Sequence, residues 1–289
     1  LLSGPEEVPG YSSTTASLAE AKVAGVRHRA VENPLFEYVL RLGDDRLVLG
    51  HRLSEWCGHG PILEEDIALS NIALDLVGHA SALLKLAGEI EGKGRDEDAL
   101  AYWREAVEYR NALIVELPKG DFGFTIVRQF LFDAYSVLLW DALSSCKHAG
   151  LAAIAAKCLK EDKYHLRHSS EWVVRLGDGT EASNAPVQTS LRQLWRYPFE
   201  LLKPDAIDSA VAELGIVIDH DAIASRWNTM VADVVSRTAR AGVCGTMFLP
   251  MAGRAWRWGP TRDCSPPIMI AGRASVAPMS PPASGAWTA

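Results

Sequence analysis

The sequence has few cysteines, little excess charge and no recognisable secretion signal. Its five cysteines, at positions 57, 146, 158, 244 and 264, show no metal-binding or redox spacing, so we expect reduced thiols. A formal charge of −7 provides no basic surplus for nucleic acid or an anionic membrane. No apolar run looks long and charge-free enough to span a bilayer, and no basic segment with a hydrophobic core begins the chain. We therefore expect a cytoplasmic protein with neither nucleic-acid nor membrane partners.

Both ends of the sequence lack helical periodicity. Residues 1–33 are rich in Ser, Thr, Gly and Ala, which predicts a poorly structured leader before a helical domain at 34–239. Residues 240–289 hold seven prolines, six glycines, one acid and no lysine, a composition that supports no helical stripe. Because the composition changes abruptly, we interpret this tail as an out-of-frame translation of a GC-rich gene. Resequencing the locus tests that interpretation.

The most informative stretch is the apolar segment at residues 62–87. Pro61 and the acids at 64–66 suit the first turn of a helix, where free N–H groups and the helix dipole favour negative charge. Asp75 and His79 lie four residues apart and therefore on one face, with Asn71 one turn earlier. An unpaired buried carboxylate costs roughly several kcal/mol. The segment therefore predicts a buried helix whose polar groups find partners on other helices.

Four long helical segments are predicted at 35–57, 62–92, 124–146 and 151–176. Gly43 and Gly50, seven residues apart in the first, indicate a close approach of a neighbouring helix. A peripheral helix at 99–113 lies in the long connection between the second and third. A helix broken near Pro204, a short acidic helix and a last helix follow the fourth. Two hairpins joined by a long crossover predict an all-α, ferritin-like four-helix bundle with extra C-terminal helices.

Counting residues from the two hairpin turns predicts a polar layer across this bundle. With the turns near residues 60 and 149, Asp44 and Asp133 lie 16 residues before a turn. Asp75 and His165 lie 15 and 16 residues after one, so at about 1.5 Å per residue all four reach one level. Glu161 lies one turn away. The apolar stripe of the fourth helix runs on through Glu161, His165 and His168 to Trp172, which predicts that these residues face inward.

The predicted layer has two interpretations. A di-metal carboxylate site needs a Glu from each of two helices and Glu-x-x-His from the other two. Here Gly78 stands three residues after Asp75, Tyr164 stands three after Glu161, and the pair Asp162 and His165 is out of step with the stripe. We therefore favour a metal-free network of hydrogen-bonded acids and histidines. The alternative is a self-sufficient ferritin-like oxidase or metal-binding protein, which would use Asp44, Asp75, Asp133, Glu161 and His165.

Longer blocks of sequence carry a family resemblance. They are LRLGDDRLVLGHRLSEWCGHGPILEEDIALSNIALDLVGHA, FDAY at 132–135, KEDKYHLRHSSEWVVRLGDGT and LWRYPFELL. In order and spacing over about residues 35–235, they resemble the small-subunit family of bacterial 1,2-phenylacetyl-CoA epoxidases.

The resemblance implies a ferritin-like subunit that holds no working metal site and no catalytic or cofactor-binding residue. It also implies partners. These are a homologous large subunit that carries the di-iron centre, the other subunits of the complex, and, indirectly, a flavin and iron–sulfur reductase. In that family the complex epoxidises the aromatic ring of phenylacetyl-CoA with dioxygen.

Overall fold

The computed structural model describes residues 33–238, whose regular secondary structure is helical throughout. The helices are α1 (Pro34–Ser54), α2 (Leu63–Glu91), α3 (Glu97–Tyr102), α4 (Leu113–Glu116), α5 (Phe122–Leu143), α6 (Ala149–Gly177), α7 (Glu181–Leu194), α8 (Pro198–Leu202), α9 (Ala206–Glu213) and α10 (His220–Ser236). The predicted all-α, ferritin-like bundle is confirmed, with α1, α2, α5 and α6 as its four long helices. Apart from Asn33, the leader and the tail lie outside the described residues and stay predictions.

The long helices begin where side chains satisfy free N–H groups. Asn33 accepts a hydrogen bond from the Phe36 N–H, and Pro34 occupies the first turn of α1. Asp121 does the same for the Phe124 N–H at the start of α5. No side chain caps α2, but three acids fill its first turn as predicted. These contacts offset the cost of unpaired amides and set where each hairpin starts.

The two glycines of α1 lie against α2, as predicted. A Cβ atom on Gly43 would come within 2.8 Å of the Leu84 side chain. On Gly50 it would come within 3.2 Å of the Ala73 carbonyl oxygen. Contact with backbone leaves less room to adjust than contact with a flexible side chain, so Gly50 is the stricter position.

Shorter helices pack on all four long ones, with α3 on α2 and α7 on α6. The helices α7, α8 and α10 pack on α5, and α4 and α9 pack on α1. The core runs through α1 and α5, in which most side chains are buried. Much of α2 and α6, by contrast, alternates buried and exposed positions.

The crossover differs from the prediction. The continuous helix expected at 99–113 is replaced by α3, a 3-10 turn at Ala106–Glu108, an extended stretch and α4. The extended stretch is held by two carboxylates of α1: Asp44 accepts from the Arg110 N–H at 2.8 Å, and Asp45 accepts from the Ala112 N–H at 2.6 Å. A helix would use these N–H groups internally, so the two contacts exclude it.

The C-terminal part also departs from the prediction at one point. The break expected near Pro204 is present, because α8 ends at Leu202 and α9 begins at Ala206. A second break was not predicted: α7 ends at Leu194 and Pro198 opens α8. A proline has no N–H to continue the preceding helix, which favours a new start there. The short acidic helix and the last helix are confirmed as α9 and α10.

Within residues 33–238, two helices are long and apolar enough to cross a membrane by length and composition alone, so the expectation of no such run was wrong by that measure. In α5, 89% of the apolar stretch is buried inside the fold; in α2 the share is 44%. A core helix of a bundle passes the same test, and α5 is such a helix. The exposed positions of α2 include three large apolar side chains, Leu63, Ile67 and Leu74.

Candidate functional site

Asp162 of α6 is the centre of the buried polar layer. Its Oδ2 accepts hydrogen bonds from the Ser136 hydroxyl at 2.5 Å and from Trp140 Nε1 at 2.8 Å. Ser136 and Trp140 lie four residues apart on α5, so one face of that helix presents both donors. The other oxygen, Oδ1, lies 3.2 Å from His165 Nδ1. Asp162 is 1% exposed, so these partners, and not water, stabilise its charge.

Three histidine–carboxylate pairs join α2 to α6 along the line where the two helices meet, which we call the α2–α6 seam. The paired atoms are 2.6–3.1 Å apart. The pairs are Glu65 with His168, Asp75 with His165, and His79 with Glu161. As the residue numbers rise on α2 they fall on α6, so the helices are antiparallel. The prediction that Asp75 and His165 reach one level is confirmed by their contact.

The two histidines of the layer differ in pKa and therefore in charge. Burial lowers the pKa of His165, but the close carboxylates of Asp162 and Asp75 outweigh burial and raise that pKa to about 10. Burial lowers the pKa of His79. Burial raises the pKa of Asp162, yet the close contact with His165 more than compensates and holds that pKa below its usual range. At neutral pH the layer therefore contains a cationic His165 between two carboxylates, next to a neutral His79.

Three buried atoms at the meeting point of Asp162 with the two histidines have no hydrogen-bond partner of good geometry: His79 Nδ1, Asp162 Oδ1 and His165 Nδ1. They face one another, since Asp162 Oδ1 lies 3.7 Å from His79 Nδ1 and 3.2 Å from His165 Nδ1. The attraction between His165 and Asp162 is thus mainly electrostatic. Both imidazoles are fixed instead through their Nε2 atoms, which contact Glu161 and Asp75.

A buried arginine, Arg46 of α1, completes the layer. Its Nη2 donates to the Ser136 hydroxyl at 2.8 Å, and its guanidinium lies 4.4 Å from the Trp140 ring centre. Asp45 is 3.8 Å away. Sequence reasoning missed this residue. The available signal was a basic residue within the apolar run LRLGDDRLVLG, where full burial requires paired charges.

Asp44, by contrast, does not join the layer as predicted. Its carboxylate binds the guanidinium of Arg104 through both oxygens and also accepts the Arg110 N–H. Both charged groups are buried. The crossover therefore draws Asp44 away from His165, a contact that residue counting along the helices does not reveal.

Asp133 lies in the layer but bonds to neither histidine, contrary to the prediction of one shared network. It accepts from Gln129 Nε2 at 2.7 Å and from the Ser169 hydroxyl at 2.8 Å. Burial raises the pKa of Asp133 to about 7, although the charge of His165 acts to lower it.

Of the predicted inward residues on α6, Glu161 and His168 are half-buried at the seam, and Trp172 packs against Phe122.

Replacing Asp133 with alanine should lower the free energy of unfolding by roughly 1–3 kcal/mol, because Gln129 and Ser169 lose their acceptor. Asp133→Asn should behave differently. The folded protein holds the Asp133 proton up to about pH 7, whereas the unfolded chain releases it near pH 4. The wild type therefore loses stability as pH rises through this window.

Denaturant titrations between pH 4 and 8 test this. The unfolding free energy of Asp133→Asn minus that of the wild type should increase with pH. A difference that stays constant across the range would contradict the raised pKa. An unchanged midpoint for Asp133→Ala would contradict the packing of α5 against α6 at this level.

The layer does not fit a pair of iron ions. Asp44 is engaged by Arg104, and one oxygen of Asp162 is engaged by Ser136 and Trp140. The guanidinium of Arg46 brings a fixed positive charge to the place where a di-metal site would concentrate carboxylates. Within residues 33–238, no group of three or more His, Cys, Asp or Glu side chains is arranged to hold a metal ion. The positive charges that lie beside these carboxylates are those of His165 and Arg46.

Comparison with known proteins adds to this geometry. A family profile described as phenylacetic acid catabolic protein matches residues 22–242. The C subunit of 1,2-phenylacetyl-CoA epoxidase from Escherichia coli (strain K12) is 47% identical over 199 residues, which cover 69% of this chain and 80% of that relative. The resemblance predicted from the sequence blocks is confirmed.

Proposed function

Because this chain belongs to the phenylacetic acid catabolic protein family, we propose that it is a non-catalytic subunit of a phenylacetyl-CoA epoxidase. In this role it supports a homologous large subunit that carries the di-iron centre. Further subunits complete the complex, and a reductase supplies electrons to the large subunit. The buried layer is the observation that carries the proposal: the level at which a ferritin-like oxygenase holds its metals is occupied here by His165, Asp162 and Arg46.

The layer's chemistry supports a structural role. Metal-dependent oxygen activation needs ligands with an open coordination position. Here the acids and the charged histidine neutralise one another and leave no such position. What these side chains do is fix α1, α2, α5 and α6 relative to one another. A bundle held in this way can present a rigid outer surface to a partner.

Metal content tests the proposal directly. After aerobic loading with ferrous iron and desalting, the purified chain should retain no stoichiometric pair of iron ions by elemental analysis, whereas the large subunit treated in parallel should retain one. Iron at about two per chain that is lost on Asp75→Ala or Asp133→Ala would sink the proposal and favour the metal-dependent alternative.

Activity provides the second measurement. With phenylacetyl-CoA and a reductase, this chain alone should give no substrate-dependent oxygen uptake. Co-expression with a large subunit from the same source should yield a stable complex that turns over. Turnover without the large subunit would refute the assignment. If the complex forms only when residues 240–289 are replaced by a family-like sequence, the defect lies in the tail.

A further inference from the structure

We draw no further inference here: the strongest candidate, the exposed apolar face of α2 formed by Leu63, Ile67 and Leu74, carries nothing because nothing in the structure shows what covers it.

Discussion

Asp162→Ala should lower the free energy of unfolding by about 3–5 kcal/mol, a value typical of breaking a buried charge network. The substitution removes the acceptor of the Ser136 hydroxyl and of Trp140 Nε1, and both donors are buried. It also leaves the cationic His165 with Asp75 alone. Since folded domains are marginally stable, a loss of this size would leave much of the chain unfolded at moderate temperature.

Asp141→Ala is the matched control for that substitution. Asp141 lies on α5 and its exposed carboxylate pairs with Arg226 at 3.3 Å, so its removal should cost at most about 1 kcal/mol. Equilibrium denaturation monitored by circular dichroism measures both. Equal losses in the two variants would contradict the central place of Asp162 in the layer.

The pH dependence provides a further check on the Asp162 variant. Because the pKa of His165 is raised to about 10 in the folded protein, its contribution is complete below about pH 6.5 and is lost as pH rises through 10. The wild type should therefore lose stability between these limits. Asp162→Ala should show a flatter profile there, because the stronger partner of His165 is gone.

Asp44→Ala should also cost about 3–5 kcal/mol, since it leaves the guanidinium of Arg104 buried and unpaired. Its side chain is 3% exposed. The same change removes the acceptor of the Arg110 N–H, which holds the extended part of the crossover. We expect a cooperative loss of stability and a faster proteolytic cleavage of the segment between α3 and α4.

Arg110→Ala is the control, because it removes the charged side chain of Arg110 and keeps the hydrogen bond from its backbone N–H to Asp44. Its side chain is half exposed and pairs with Glu37 at 3.4 Å, while its N–H remains available to Asp44. We expect a loss of less than about 1 kcal/mol. The double variant Asp44→Ala with Arg104→Ala should be less destabilised than the sum of the single variants. Strict additivity would show that the two groups do not depend on each other.

The helices and much of the layer could be predicted from the sequence, because amphipathic periodicity and capping residues are local signals. Counting residues from the hairpin turns correctly predicted that Asp75 and His165 lie at one level of the bundle. The inward stripe predicted on α6 was right at Leu151, Cys158 and His165, which are buried, but at the positions between them it was one residue off, as at Glu161 rather than Asp162. The displacement arises because the prediction took Ile154 as the inward residue. In the structure Ile154 is half-buried, while the neighbouring Ala155 is fully buried. Residue type alone favours the opposite choice.

The partners of Asp44 and Asp162 could not have been predicted in the same way. Arg104 reaches Asp44 from a crossover that follows no helical period. The hydrogen bond between Arg46 and Ser136 joins α1 to α5, and no sequence pattern within either helix predicts it. Long-range pairs of buried polar groups depend on the rotation of each helix about its axis. Hydrophobic periodicity sets this rotation only to within about one residue position.

The contacts between α1 and the crossover also bear on the order of folding. The hairpins α1–α2 and α5–α6 join neighbouring segments, whereas the bonds from Asp44 and Asp45 to backbone amides span 66 and 67 residues. Loop closure delays such distant contacts. We expect the crossover to become ordered after the first hairpin has brought both carboxylates into place, and to open first in the native state. The amides of Arg110 and Ala112, although outside any helix, should therefore exchange with solvent deuterium only at the rate of that opening.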